Sequence, residues 1–376
     1  MRGKGIHYDT GTFPNGDSSR PSFEPRVVEQ EIRAIARDLH CTAIRITGGD
    51  PDRIDLAARH AAAAGLEVWY SPFPCEMTDD EMLPHLVDAA GRAERLRRDG
   101  AGVRFVTGCE LSVFARGYLP GDTLADRIPV LGGPGREAAL DGMPDKVNAF
   151  LREAVAAVRP VFGGPLTYAS NPLDGVDWTP FDIVGLDAFR SLRNAAAYRD
   201  ELREGLAHGK PVAILETGCC TYRGAGDHGG AGWFLAMEPD GVTLKPDLVR
   251  DEDEQVRYLD DLMTVFEEEG IDSVFWFSFA GYAHPHRRDG GPDLDLASYA
   301  IVKVFADDQD VPDRLRAYPD MPWEPKKAFH ALADRYKAVE QRESGGGGRN
   351  GRVREALSAG GPFRRAPGRA PPAPGS

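Results

Sequence analysis

Two glutamates stand at the ends of apolar, strand-like runs in distant parts of the sequence. The first run covers 103–109 and is followed by Glu110, and the second covers 211–215 and is followed by Glu216. Ligands of parallel α/β proteins bind beyond the carboxyl ends of the strands, so both carboxylates are expected to face one pocket. Two carboxyl groups flanking one bond can act as a general acid and as a nucleophile or base. Hydrolysis of a glycosidic bond requires this chemistry.

Each of these residues also has a structural interpretation. A glutamate at a strand end can cap the next helix or pair with an arginine. Arg45, near the end of another strand-like run, could hold Glu216 ionised or could serve only in an ion pair. His7 could contact a ligand with Asp9 as its orienting partner, although a lone histidine at a strand end is more often structural.

Further candidates for substrate contact lie at or just beyond strand ends. Aromatic rings at a pocket mouth suit the apolar faces of sugar rings, although some of these residues must serve in packing. An aspartate at such a position could bind a sugar hydroxyl or cap a helix. The candidates are Tyr8, Tyr70, Phe73, Tyr168, Asn171, Asp187 and Trp276.

The elements that must position these residues alternate between short apolar runs and amphipathic stretches, which indicates βα units around a parallel sheet. The predicted strands are 5–8, 42–46, 66–70, 103–110, 166–168, 181–187, 211–216 and 273–277. The predicted helices are 25–39, 54–64, 78–98, 144–158, one around residue 198, 252–269 and 324–336. Only a short connector joins the fifth strand to the sixth, where a helix is expected.

Eight such runs predict an α/β fold of the (β/α)8 barrel type. A doubly wound sheet is the competing fold, but no glycine-rich turn follows the first strand. The longest connections follow strands four, seven and eight and are expected to wall the pocket. We predict one barrel domain over 1–341 and a disordered tail over 342–376, because the tail is rich in Gly, Pro and Arg and poor in large apolar residues.

The composition of the 376-residue chain excludes several classes of protein. A formal charge of −14 argues against nucleic-acid binding and against attraction to anionic membranes. The five cysteines are scattered without zinc-like spacing, and no apolar run is long enough to span a membrane. The N-terminus lacks the apolar core of a signal peptide, so we expect a cytoplasmic protein. Nothing implies a cofactor, and the oligomeric state is not indicated.

The chain resembles the large superfamily of retaining glycoside hydrolases with (β/α)8 barrels, known as clan A. In that clan the acid/base glutamate ends strand four and the nucleophile ends strand seven, which implies these roles for Glu110 and Glu216. The resemblance extends to Arg45, which would lie beside the nucleophile, and to Trp276 at a frequent sugar-stacking position. Residues 181–187 resemble the sixth strand of the clan, and 324–329 resemble its final helix.

One position departs from the clan pattern. The clan usually places an asparagine before the acid/base glutamate, where it bonds the sugar 2-hydroxyl, whereas this chain has Cys109. A thiol is a poor hydrogen-bonding group, so that contact would be weakened or supplied elsewhere. Residues 4–11 and 108–112 also resemble bacterial barrel proteins labelled abortive-infection proteins, a label that implies no reaction.

The resemblance implies a retaining, two-glutamate hydrolysis of a small or medium intracellular glycoside or oligosaccharide. Glu216 would attack the anomeric carbon, and Glu110 would be protonated at rest and act first as acid and then as base. One alternative is another barrel enzyme, either a metal-assisted hydrolase or a sugar-modifying enzyme of secondary metabolism. The other is a non-catalytic carbohydrate-binding or phage-defence protein.

The long connections after strands seven and eight contain histidine and cysteine residues that could bind a metal. The spacing of His284 and His286, with three aspartates downstream, fits a hydrogen-bonded loop better than a zinc site, so we predict no metal. Cys219 and Cys220 could be redox-active or bind metal with His228. Two buried thiols are the simpler interpretation, since adjacent cysteines rarely pair with each other.

Overall fold

Eight parallel strands form one sheet in this protein, whose computed structural model describes residues 1–238, 243–307, 312 and 317–339. Hydrogen bonds connect the strands in the order β5-β4-β3-β2-β1-β8-β7-β6. A parallel bridge between Ser170 and Leu186, just beyond β5 and within β6, joins the two edges. The strands are β1 (Gly3–Asp9), β2 (Ala43–Gly48), β3 (Glu67–Pro72), β4 (Val103–Cys109), β5 (Leu166–Ala169), β6 (Val184–Asp187), β7 (Val212–Thr217) and β8 (Ser273–Trp276). The predicted (β/α)8 barrel is thus confirmed.

Helices follow most of the strands, as a barrel of βα units requires. They are α1 (Pro25–Arg37), α2 (Pro51–Ala63), α3 (Asp79–Arg98), α4 (Leu111–Phe114), α5 (Leu124–Gly132), α6 (Arg136–Leu140), α7 (Met143–Val158), α8 (Tyr198–Leu206), α9 (Gly232–Ala236), α10 (Glu252–Glu269) and α11 (327–339). No helix separates β5 from β6 among the described residues, as the sequence predicted. The helix start at Thr78 is also confirmed, because Thr78 and Glu81 form a capping box.

Side chains of alternate strand residues form two separate apolar layers, as the two-residue period of a strand requires. One layer fills the inside of the barrel and includes Trp69, Leu215 and Phe275. The ring centroids of Trp69 and Phe275 lie 4.8 Å apart. The other layer lies between the outside of the strands and the helices and includes Ile44 and Leu259. A shift of one residue along a strand therefore exchanges the pocket side for the helix side.

Two stretches differ from their predicted structure. Residues 111–143, predicted as a loop, contain the short helices α4 to α6. The predicted last helix begins at 327 rather than at 324, because Trp323–Pro325 forms a strand, β10, that pairs antiparallel with β9 (Val302–Val304). The buried ring of Trp323 packs against Phe279, which favours the extended conformation there.

The Cα positions group Met1–Tyr336 into one unit and Lys337–Ser376 into a second. The predicted domain boundary at residue 341 and the predicted tail over 342–376 lie outside the described residues. Within the described part of the chain, no helix is both long and apolar enough to cross a membrane.

Candidate active site

The pairing of the strands is irregular at three positions, which carry Cys109, Asp187 and Glu216. The register shifts just before Cys109 between β4 and β5, between Leu186 and Asp187 of β6, and around Glu216 between β7 and β8. Such irregularities bend a strand and redirect its side chains, and they are common beside active sites. All three lie at the carboxyl ends of the strands, the edge where barrel enzymes bind their ligands.

Arg45 of β2 fixes the position of Glu216. Its Nη1 donates to Glu216 Oε1 at 2.8 Å and to the carbonyl oxygen of Leu215 at 3.2 Å. Its Nε donates to the hydroxyl of Ser71 on β3 at 3.2 Å. Because Arg45 is fully buried and Glu216 is only 8% exposed, water screens this ion pair poorly. The predicted proximity of Arg45 to Glu216 is present in the structure.

The backbone at Glu110 adopts the left-handed conformation, with φ 43° and ψ 50°. This conformation is uncommon for a residue other than glycine, and it ends β4 abruptly. The amide of Glu110 donates to Ala169 O, and the amide of Leu111 donates to the hydroxyl of Tyr168. Tyr168 therefore helps to position the Glu110 backbone, and Glu110 itself is half-buried.

Hydrogen bonds from the segments that follow β4 and β5 hold Tyr168 in place. The Tyr168 hydroxyl donates to Asp174 Oδ2 at 2.8 Å, and Asp174 Oδ1 accepts from the amide of Ser112 at 3.2 Å. The side-chain amide of Asn171 donates to the hydroxyl of Ser112 at 3.2 Å, and its proximity to the Glu110 carboxyl opposes the increase in the pKa of that group. Burial raises the pKa of Asp174 to about 6. Asn171 thus lies beside Glu110, as predicted for a pocket residue.

The surroundings of the two glutamates separate their protonation behaviour. Burial raises the pKa of Glu110 well above its ordinary value, and the negative charges of Asp187 and Glu216 raise it further. Burial also raises the pKa of Glu216, but the charge and hydrogen bond of Arg45 oppose that increase. Two carboxyl groups with such different surroundings can act as an acid and as an anion at the same pH.

Asp187 and Cys109 complete the acidic cluster. Asp187 and Glu216 are paired residues of neighbouring strands, and Asp187 Oδ1 lies 3.7 Å from Arg45 Nη1. The Cys109 thiol lies between the two carboxylates, with its Sγ 3.5 Å from Asp187 Oδ2 and 3.7 Å from Glu216 Oε1. Burial and the charge of Glu216 raise the pKa of Asp187 well above its ordinary value. Burial has the same effect on the pKa of the Cys109 thiol.

His7 and Phe277 lie on the inner side of the neighbouring strands. His7 Nε2 lies 2.9 Å from the hydroxyl of Thr47. The ring centroids of His7 and Phe277 lie 4.5 Å apart. Burial and the charge of Arg45 lower the pKa of His7 well below its ordinary value, which favours the neutral imidazole. Phe277 also contacts the rings of Phe189 and Tyr299, which makes it part of an aromatic wall beside the cluster.

Three predicted substrate-contact residues lie on the opposite side of their strands from this cluster. The hydroxyl of Tyr8 donates to Glu31 of α1, and that of Tyr70 donates to Asp55 of α2. The Trp276 ring is fully buried against Tyr258 of α10. Each prediction is off by one residue, because alternate residues of a strand face opposite sides. The inward-facing neighbours are His7, Ser71 and Phe277. Tyr168 of β5 also belongs to the outer apolar layer and is fully buried, so its predicted contact with substrate is wrong as well.

Sequence reasoning missed several residues that surround the cluster, namely Ser71, Asp174, Phe189, Phe277 and Tyr299. The strand period was the available signal for Ser71 and Phe277, because each lies two residues after an inward-facing aromatic residue, Trp69 or Phe275. No local pattern marks Asp174, whose role depends on the position of Tyr168 in the folded chain. Phe73, a further candidate, packs against the inner apolar layer and against Phe114 of α4.

The histidine-rich loop after β8 is hydrogen-bonded, as predicted. His286 Nδ1 lies 2.9 Å from Asp293 Oδ1, and Arg250 bridges Asp293 and Asp295. Asp295 also forms a buried ion pair with Lys326 at 2.8 Å. Cys219 and Cys220 are buried free thiols, in agreement with the simpler of their two interpretations.

A different group brings metal-binding donors together. Among the described residues, the ligand atoms of Cys109, Asp187 and Glu216 all lie within 4.8 Å of one another. Arg45 already provides one positive charge at this place, through its bond to Glu216. The cluster is thus a buried acidic centre that contains one fixed positive charge, the guanidinium of Arg45. It is enclosed in a parallel eight-stranded barrel.

Comparisons with known proteins agree with this architecture. No protein-family model matches the chain, and no curated protein matches it. Among solved structures, it is similar to the GH113 β-mannanase AaManA from Alicyclobacillus acidocaldarius, with 17% identity, a TM-score of 0.57, and coverage of 90% of this chain and 98% of that one. A second GH113 β-1,4-mannanase has 14% identity and a TM-score of 0.55, with coverage of 90% and 99%.

A third neighbour is a GH5_18 protein from Bifidobacterium longum subsp. infantis, with 13% identity, a TM-score of 0.50, and coverage of 90% of this chain and 79% of that one. At these identities the similarity shows a shared fold. The predicted (β/α)8 barrel is therefore the fold that this chain shares with these solved structures.

Proposed function

We propose that this chain is a retaining glycoside hydrolase in which Glu216 is the nucleophile and Glu110 is the acid/base residue. One observation carries the proposal. Arg45 holds Glu216 through a buried 2.8 Å ion pair, while Glu110, at the end of another strand, has a strongly raised pKa and no cation beside its carboxyl group among the contacts described. The first glutamate is suited to attack as an anion and the second to donate a proton.

The reaction would proceed in two steps, formation of a covalent glycosyl-enzyme and its hydrolysis. In the first, Glu216 bonds to the anomeric carbon while the bond to the leaving oxygen breaks and Glu110 gives its proton to that oxygen. In the second, Glu110 removes a proton from water, the water oxygen bonds to the anomeric carbon, and Glu216 leaves as a carboxylate. This course requires carboxyl groups about 5–5.5 Å apart, too close for a water molecule between them.

The substrate is a small or medium glycoside or oligosaccharide. The aromatic wall around Phe277 and the hydrogen-bonding groups of His7, Asn171 and Asp187 offer the mixed surface that sugars need. Solved neighbours described as β-1,4-mannanases make β-linked manno-oligosaccharides the first compounds to test. A cytoplasmic location remains a prediction from the sequence.

A mechanism-based label tests the proposal. The full chain is first screened against a panel of chromogenic glycosides, and a 2-deoxy-2-fluoro analogue of the best substrate is then added. The fluorine slows both steps, so a retaining enzyme accumulates its glycosyl-enzyme, and peptide mass spectrometry locates the adduct. We expect one sugar bonded to Glu216 and none in the Glu216→Gln variant.

Glu153→Gln, which changes an exposed glutamate of α7, is the matched control and should label like the parent protein. A label on another carboxylate would contradict the assignment of the nucleophile. Calorimetric sugar binding without turnover, unaffected by Glu110→Gln, would instead indicate the non-catalytic carbohydrate-binding alternative.

A further inference from the structure

The cluster of Cys109, Asp187 and Glu216 contains the donor atoms that soft divalent cations prefer. Thiolate sulfur together with carboxylate oxygen is a ligand set for Zn²⁺ and for its heavier analogue Cd²⁺. The three side chains come from the ends of β4, β6 and β7, and they are 2%, 5% and 8% exposed, respectively. Rigid strands therefore hold all three donors in place.

The spacing of these donors matches a tetrahedral site. Zinc bonds sulfur at about 2.3 Å and carboxylate oxygen at about 2.0–2.2 Å, so the tetrahedral edge from sulfur to oxygen is about 3.6 Å. In the structure, Cys109 Sγ lies 3.5 Å from Asp187 Oδ2 and 3.7 Å from Glu216 Oε1. Because all three ligand atoms lie within 4.8 Å of one another, side-chain movement alone could place one cation between them.

A second, independent observation also points to a ligand. Asp187 Oδ1 is buried and accepts no hydrogen bond, although buried carboxylate oxygens are normally paired. Arg45 Nη1 lies 3.7 Å from this oxygen, beyond hydrogen-bonding distance. A cation bound through both oxygens of Asp187 would satisfy this acceptor together with the Oδ2 atom that faces Cys109.

The charges in the cluster also balance when a divalent cation is included. If all three donors were ionised, Arg45 would neutralise one negative charge and leave two, and a divalent cation carries two positive charges. Arg45 does not exclude the cation, because a carboxylate has about four lone-pair positions and Glu216 can accept from Arg45 while it binds a metal. The other charged or titratable groups near the cluster are His7 and Asp9 of β1, Glu110 after β4, Tyr168 of β5 and Asp174 after β5.

We propose that Cys109, Asp187 and Glu216 form a binding site for one thiophilic divalent cation of the zinc class. The cation exchanges with the thiol proton of Cys109 and with the proton of Asp187 where that carboxyl is protonated. Its affinity therefore increases as the pH rises. Because the cation binds the Glu216 carboxylate, it also prevents attack on a glycoside, and only this consequence rests on the proposed function.

Direct binding measurements test the site without any assay of hydrolysis. The full chain, stripped of metal with a chelator, is titrated with Cd²⁺ while the ultraviolet charge-transfer band of a cadmium thiolate is recorded. Zn²⁺ is then added as a competitor. We expect one cation per chain, a thiolate band, displacement by Zn²⁺, and tighter binding at mildly alkaline than at mildly acidic pH.

Matched variants identify the donors. Cys109→Ser should abolish the thiolate band, and Asp187→Asn should weaken binding by more than about tenfold, since even indirect supporting residues contribute that much to metal affinity. Cys75→Ser, which changes a half-buried cysteine outside the cluster, should bind like the parent chain. Thermal melts show whether each variant is folded, and Cys109→Ala provides a second test of the thiol.

A thiolate band that persists in folded Cys109→Ser, or no band in the parent chain, would overturn the proposal. Inhibition of hydrolysis by Zn²⁺ is measured separately. If binding is found but no glycoside is cleaved, the cation site stands and the proposed function fails. If glycosides are cleaved but no cation binds, only the cation site is refuted.

Discussion

Among the described residues, two arginine–glutamate pairs are buried, one on each side of the barrel strands. Arg20 bonds Glu31 at 2.7 Å between the barrel and α1, and Arg45 bonds Glu216 at 2.8 Å inside the barrel mouth. The paired residues are almost inaccessible to water in both places, so burial and pair distance do not distinguish them. The pairs differ in what surrounds them.

The Glu31 carboxylate has many donors. It accepts from Arg20, Tyr8 and Tyr282, and the indole of Trp323 donates to it at 3.0 Å. Around Glu216, by contrast, a second carboxylate and a thiol crowd the same arginine. Atoms of Arg45, Asp187 and His7 lack hydrogen bonds there, whereas the Glu31 network contains one such atom among the described residues, Arg20 Nε. A carboxylate with several donors stabilises the fold, whereas a buried network with several unpaired atoms and like charges costs stability and is typical of a functional site.

The largest expected effect tests the pocket side of this comparison. Glu216→Gln keeps the shape of the side chain but removes the nucleophile, so kcat should fall by about 10⁴-fold or more. The melting temperature should change little or rise, because Asp187 remains as a counter-ion for Arg45 and the amide removes the repulsion between the two carboxylates. Steady-state kinetics with a chromogenic glycoside and a thermal melt measure the two effects. Loss of folding with retained specific activity would refute the contrast with Glu31.

Glu110→Gln should lower kcat by about 10²–10⁴-fold, the range for removal of a general acid. In the parent enzyme, activity should fall as the pH rises through the raised pKa of Glu110, since the acid must carry its proton. Activity should also fall as the pH drops through the pKa of Glu216, which must be ionised. A pH profile of kcat/KM measures both limbs. The alkaline limb should disappear in Glu110→Gln, and a persistent limb would assign it to another group.

The helix-side pair should affect stability and leave the chemistry unchanged. Glu31→Gln leaves the buried guanidinium of Arg20 without its counter-ion, which should lower the free energy of unfolding by about 3–5 kcal/mol. Urea denaturation measures this loss, and kcat of the protein that remains folded should match the parent value. Glu29→Gln is the control on the same helix, where the more exposed pair with Arg33 should contribute less than about 1 kcal/mol.

The same comparison explains which parts of the molecule the sequence could predict. The eight strands, the barrel and the ends carrying Glu110 and Glu216 follow from apolar runs and turn signals, which are local patterns. The proximity of Arg45 to Glu216 followed from the clan resemblance. Four predictions of substrate contact were wrong, because a strand end shows how far along the barrel a residue lies but not which side it faces. These residues are Tyr8, Tyr70, Tyr168 and Trp276. The irregular register beside Cys109, Asp187 and Glu216 depends on pairing between distant strands, so no local pattern could show it.

Asp187→Asn sharpens the electrostatic difference between the two networks. The folded state raises the pKa of Asp187, so its favourable contribution is present at acidic pH and is lost as the pH rises through that raised value. The variant carries no titrating group there. We therefore expect its free energy of unfolding to gain on that of the parent chain as the pH rises, measured by urea denaturation across the pH range. A constant difference would show that Asp187 is ionised throughout.

The smallest expected effects come from two neighbouring aromatic residues on opposite sides of β8. Phe277→Leu should raise KM about two- to tenfold with little loss of stability, because an aromatic contact contributes about 0.5–1.5 kcal/mol. Trp276→Phe should lower the melting temperature and leave KM unchanged, because that ring packs against Tyr258 away from the cluster. Substrate kinetics and thermal melts on both variants measure this division. If the effects were exchanged, with KM following Trp276, the inward side of β8 would be assigned incorrectly and the aromatic wall would not be part of the substrate site.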